Sequence, residues 1–164
     1  MNITQSHSNT VIAAAVAEAR SIGVAMTIAV LDSSANMKAF LRMDGALLGS
    51  VDIALRKAKT AALFGMTTEA VGEFCKPGGT SPGLDATNGG LVVFAGGVPI
   101  RGPDGTLLGA VGVSGGSVAQ DARVAAAAAA AAAGKQVGEE AQCSIVLPDR
   151  PELPVQVLPS HSSS

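Results

Sequence analysis

Residues Leu91 to Asp121 read LVVFAGGVPIRGPDGTLLGAVGVSGGSVAQD, and this stretch decides the fold. Leu91 to Phe94 is an apolar run that predicts a strand, Gly96-Gly97 tolerates positive φ and predicts a reversal, and Val98 to Arg101 predicts the returning strand. Pro99 has no N–H to give to a ladder, so the second strand begins there or lies at a sheet edge. Gly102-Pro103-Asp104-Gly105 is a second turn. Leu107 to Val113 is apolar on both phases and predicts a central strand, with Gly109 and Gly112 letting a neighbour approach the backbone closely. Ser117 and Gln120 have capping-box spacing, so a helix starts at about Val118.

The junction Ser114-Gly115-Gly116 therefore lies between a strand and a helix. Backbone N–H groups there sit at the positive end of a helix dipole and suit a carboxylate or phosphate; a tight connection that binds nothing is the plain alternative. No Gly-Lys-Ser/Thr follows, which excludes a Walker loop, and the preceding hairpins exclude a Rossmann unit.

Outward from this stretch, Thr4 to Ile22 carries Val11, Ala15 and Ala19 at helical spacing and is closed by Gly23. Ala25 to Leu31 and Met37 to Met43 flank the polar turn 32–36 and predict a hairpin. Leu47 to Phe64 predicts a second helix, buried along Val51, Leu55, Ala58 and Ala62, with Asp52 and Arg56 as an exposed i, i+4 pair. Lys57 falls on the adjoining stripe with Ser50, Ala54 and Ala61, at the margin of the core, where a snorkelling side chain is the plain expectation. Thr67-Thr68-Glu69 starts a short third helix, and Lys76 to Asn88 is a loop of about a dozen residues. Nine consecutive alanines, Ala125 to Ala133, give the last helix the highest intrinsic propensity. From Pro148 to Ser164 the chain reads as an extended or disordered tail, leaving one domain over 1–147.

Composition narrows the function classes. Across 164 residues 48% are hydrophobic, yet the only aromatic residues are 4 Phe, so the core is built from small aliphatic side chains. Apolar surface is left over, which predicts a homo-oligomer. A net charge of −2 without basic runs argues against nucleic acid as a partner. The N-terminus has no signal-peptide pattern, and the small-residue run Val124 to Ala133 is too short to span a bilayer, so a cytoplasmic protein with no membrane partner is expected. Cys75 and Cys143 lack metal-ligand spacing, and neither a metal site nor a disulfide framework is expected.

Three segments, AVLDSSANMKAFLRMDGA from Ala29, ALRKAKTA from Ala54 and GGVPIRGPDGTLLGAVGVSGG from Gly96, followed by Asp121 early in the last helix, resemble the GlcG/HbpS-type haem-binding family over about Ile3 to Gly134. The resemblance implies an α/β (α+β) fold of the profilin-like type, three layers α/β/α with a five-stranded antiparallel sheet of order 2-1-5-4-3, and assembly into homo-oligomers. It also implies haem (tetrapyrrole) binding, linked in some members to haem degradation or redox sensing. Haem iron is held by His, Cys, Met or Tyr. Tyr is absent and His7 is the histidine within the domain, so His7 is the axial candidate, with Arg42 and Lys57 as propionate partners. A second reading is a small catabolic enzyme, a tautomerase or deaminase in aromatic ring-cleavage or aldehyde catabolism, acting on a carboxylate-bearing metabolite. Arg42 then clamps the carboxylate, Asp44 or Lys57 supplies acid–base chemistry, and Ser114, Gly115 and Gly116 hold developing negative charge. Both readings place Arg42, Asp44 and Lys57 beside the Gly96-Gly97 and Ser114 to Gly116 turns.

Overall fold

Thr4 accepts a hydrogen bond from the His7 N–H and so starts helix α1, Gln5–Ser21, whose buried stripe is Ser8, Val11, Ala15 and Ala19. The chain returns as strand β1, Thr27–Asp32, turns, and runs back as β2, Met37–Arg42. Asp32 Oδ1 accepts from the N–H groups of Ser34 and Asn36, both at 2.9 Å, which fixes the turn. Helix α2, Ser50–Phe64, follows, then α3, Thr68–Cys75, with Thr67 as its cap. Strands β3, Gly97–Arg101, and β4, Leu107–Ser114, precede helix α4, Val118–Ala133. This computed structural model describes residues 2–133; the expected tail 148–164, the stretch 134–147, Cys143 and His161 lie outside them.

The sheet is antiparallel with order β2-β1-β4-β3. Helices α1 and α4 pack on one face and α2 on the other. Two expectations are corrected here. The sheet has four strands, not five, and its order is not 2-1-5-4-3, because Leu91 to Phe94 is not a strand. Its polar groups are taken by helices and loop instead: Leu91 N–H donates to Asp85 O at 2.8 Å, Val92 N–H to Thr60 Oγ1 at 3.2 Å, and Phe94 O accepts from Thr68 Oγ1 at 2.8 Å. With these three groups engaged by the loop and by α2 and α3, the run is strapped against the helices and joins no ladder. Gly96-Gly97 consequently does not turn a hairpin. A Cβ on Gly96 would lie 2.7 Å from Lys57 Nζ, and one on Gly97 would lie 2.5 Å from Lys57 O, so these glycines admit α2 against the chain.

The two faces of the sheet differ in side-chain size. Ile28, Val30, Val111, Val113 and Ile100 fill the space beneath α1 and α4. Towards α2 the sheet presents Ala29, Ala110 and Gly112, and a Cβ on Gly112 would come within 2.1 Å of Ala54 O. Helix α2 therefore lies almost directly on the β4 backbone. Of the expected stripe Ala58 and Ala62 are buried while Val51 and Leu55 are only half-buried, and the helix also buries the adjoining stripe of Ser50, Ala54, Lys57 and Ala61, with Thr60. Lys57 sits in the middle of that stripe.

Candidate functional site

Lys57 is fully buried, and the snorkelling expectation is corrected. Its Nζ donates to Asp121 Oδ2 at 2.6 Å and to Val113 O at 3.1 Å, and lies 4.6 Å from the centre of the Phe94 ring. Asp121 is only 2% exposed, and its second oxygen accepts from the Gly116 N–H at 3.0 Å. Burial pulls the Lys57 ammonium below its ordinary 10.5, while the hydrogen bond and charge of Asp121 push the other way. The pair joins α2, the end of β4 and the first turn of α4 into one unit. Gly115 and Gly116 complete the connection, and the Ser117–Gln120 capping box closes it, with Ser117 N–H to Gln120 Oε1 at 2.9 Å and Gln120 N–H to Ser117 Oγ at 3.3 Å.

Above the pair opens a cleft of ≈ 310 Å³ between the N-terminal ends of α2 and α4, lined by Ser50 and Ile53, by Ser114 to Gly116, and by Phe94, Val118 and Asp121. Its rim is apolar: Leu47 is 68% exposed, Val118 49% and Phe94 43%. Ser50 Oγ is committed to Thr27 Oγ1 at 2.7 Å and to Leu47 O at 2.5 Å. Ser114 is 5% exposed, and its hydroxyl has no hydrogen-bond partner among the described residues.

Arg42 and Asp44 lie elsewhere. Both are exposed, and they line a separate hollow of ≈ 400 Å³ with Val16, Arg20, Leu41 and Met43. The structure thus brings Lys57, Gly96, Gly97 and the Ser114 to Gly116 turn together and leaves Arg42 and Asp44 apart from them. His7 is on α1, across the sheet from α2. Ile3 N–H donates to Leu108 O at 2.9 Å, so α1 begins near the start of β4, and Ser114 is roughly 20 Å further along that strand. His7 and Lys57 therefore cannot serve one haem within a single chain. The His7 ring itself, half-buried, makes no hydrogen bond among the described residues.

Asp121 escaped the sequence reading as a site residue, although a signal was present. Asp121, Val124, Ala125 and Ala128 are spaced as one helical stripe, which makes Asp121 an acid on a buried face, as Lys57 is a base on one. Two opposite charges on buried faces have strong reason to meet. Cys75 ends α3 with its thiol 3.4 Å from Val71 O, and no cluster of His, Cys, Asp and Glu suited to a metal ion occurs among the described residues.

This arrangement has relatives. The family model for haem degrading protein HbpS-like matches residues 3–130. The chain belongs to the HbpS-like family. Among curated family members, it is 41% identical over 106 residues to a 15.0 kDa protein of Citrobacter freundii encoded in the dhaT-dhaS intergenic region, covering 64% of this chain and 74% of that one. It is 39% identical over 112 residues to GlcG of Escherichia coli K12, 68% of this chain and 81% of GlcG. The corrinoid adenosyltransferase PduO of Salmonella typhimurium is 36% identical over 112 residues, and there the chain matches 68% of its own length but only 33% of PduO. Two crystal structures share the architecture. Klebsiella pneumoniae ORFY superposes with a TM-score of 0.76 at 35% identity, over 79% of this chain and 90% of ORFY. A PduOC:heme complex superposes with a TM-score of 0.76 at 32% identity, over 80% of this chain and 95% of that one.

Proposed function

We propose that this HbpS-like protein binds haem as a homo-oligomer, with His7 as the iron ligand. The observation that carries this reading is the similarity across nearly the whole described domain to a protein solved as a haem complex. The donor chemistry of the chain fits at one point and not at another. His7 offers a half-buried imidazole with an uncommitted ring, the kind of ligand haem iron takes. Lys57 does not fit as a propionate partner, because it is fully buried and already paired with Asp121. Arg42 remains exposed beside Arg20, but near the end of the sheet opposite the start of α1, so an Arg42 contact to the same haem requires a second copy of the chain. Haem, when bound, supplies the iron redox chemistry that haem degradation or redox sensing needs. The residues of this chain bind and orient it. Exposed Met37, Leu48 and Leu63 supply apolar surface for self-association.

Titration with haemin tests the reading. A saturable Soret shift should appear with the native chain, vanish in His7→Ala and weaken in Arg42→Ala, and light scattering should give a mass several times the 16.1 kDa chain. An unchanged Soret shift in His7→Ala would sink the assignment of the ligand, and a monomer at micromolar concentration would sink the assembly. The enzyme reading with Lys57 as acid or base has no comparable support, because Lys57 has no surface to present to a substrate.

A further inference from the structure

The cleft over the Lys57–Asp121 pair lies at the opposite end of β4 from the start of α1 that carries His7, and none of the residues lining it is a His, Cys, Met or Tyr that could hold iron. What it offers instead is hydrogen-bond donors on an apolar wall. Ser114 is 5% exposed and lines the cleft, yet its hydroxyl has no partner among the described residues, whereas no fully enclosed side-chain polar atom among them is left without one. Helix α4 starts on the same wall, and the first-turn N–H groups of Val118 and Ala119 have no partner within the helix. The acid nearby does not oppose an anion as a bare carboxylate would, because both Asp121 oxygens are engaged, one by Lys57 and one by the Gly116 N–H. The apolar side chains of the lining are Leu47, Ile53, Phe94 and Val118. At ≈ 310 Å³ the cleft is at the small end of ligand sites, which run from roughly 300 to 1,000 Å³.

The geometry points to a binding site for a small monocarboxylate with an apolar body, its oxygens taken by the Ser114 hydroxyl and the α4 first-turn amides and its body laid against Phe94, Ile53 and Val118. The Lys57–Asp121 pair does not touch this ligand. It is a positioning pair that holds the end of β4 against the start of α4 and cancels the charge beneath the site. An inorganic phosphate would find the donors but leave the apolar wall wet, so the carboxylate is the better match.

Benzoate is the probe, with benzamide as its uncharged counterpart and inorganic phosphate as the competing anion, read by amide chemical shifts of the full chain. Benzoate should move the Gly115, Val118 and Ala119 resonances saturably, and benzamide should not. Ser114→Ala should weaken benzoate by about tenfold to a hundredfold, the usual cost of losing one hydrogen bond to a charged group. Val118→Glu, at an exposed helix position that leaves folding intact, should abolish binding by repulsion at the mouth. The haemin titration should be unchanged in both variants, which separates this site from the one at His7. No benzoate response at these amides, an equal response to benzamide, binding of phosphate alone, or undiminished binding in the two variants would each overturn the inference.

Discussion

Arg42 with Asp44 and Lys57 with Asp121 are two acid–base neighbourhoods of this protein that behave as opposites. Arg42 and Asp44 sit at the end of the edge strand β2, exposed, beside a hollow open to water. Lys57 and Asp121, 64 residues apart in the chain, meet in the dry space between α2, β4 and α4. At the edge, water screens each charge, and contacts there are worth little. In the interior neither charge is tolerable without the other. The difference comes from position, the end of an edge strand against helix stripes turned inward, since the side chains in both places are ordinary ones.

Removing one charge from each neighbourhood should expose the contrast most clearly. Asp121→Ala leaves the Lys57 ammonium buried with only Val113 O, and should cost about 3–5 kcal/mol of stability by denaturant unfolding, whereas Arg42→Ala should stay within about 0.5 kcal/mol. Replacing both members, Lys57→Met with Asp121→Leu, should recover most of the loss. A double variant no more stable than Asp121→Ala would mean that the pair does more than neutralise its own charges, for instance by fixing the Gly116 N–H.

The packing that buries Lys57 can be attacked separately. Gly112→Ala puts a methyl group 2.1 Å from the Ala54 carbonyl oxygen and must push α2 off the sheet, at a cost of about 1–3 kcal/mol or more. Thermal unfolding should show it, and the amide shifts around Lys57 and Asp121 should move with it. Were those shifts unmoved, the seating of α2 on β4 would not be what sets the pair.

The smallest effect belongs to the hairpin turn beside the open edge. Backbone N–H groups, chiefly that of Asn36, hold the Asp32 carboxyl below its ordinary 3.8. A depressed carboxyl pKa adds stability that is present above the unfolded value and lost as pH falls through the folded one. The native chain should therefore outlast Asp32→Asn at about pH 6, and the gap should close towards about pH 3. A gap that is constant with pH would show that the carboxylate's charge plays no part in the turn.

Several of these features were legible before any coordinates. The helices announced themselves by period and caps, with Thr4, Thr67 and the Ser117–Gln120 box each where a helix begins. The Asp52–Arg56 pair on α2 followed from i, i+4 spacing alone, and it is present at 2.7 Å. Pro99 marked an edge strand, and β3 is one. The strand read at Leu91 to Phe94 failed because a short apolar run is equally content to strap across helices once Thr60 and Thr68 offer it hydrogen bonds, and those partners are 32 and 26 residues away in sequence.

What the sequence by itself determined is what local physics controls: where helices start, where the chain turns, which strand must be central, and that glycines at 109 and 112 admit a close neighbour. Only the tertiary structure decided that the neighbour at Gly112 is α2, that α2 turns its Lys57 stripe inward, and that Asp121 of α4 waits there to receive the charge. Periodicity gives a helix two adjacent stripes of nearly equal polarity and no means of choosing between them. The choice is made by the shape of the surface it lands on, here an alanine and glycine path across the sheet that leaves room for the backbone of α2 and, at its end, for one buried ion pair.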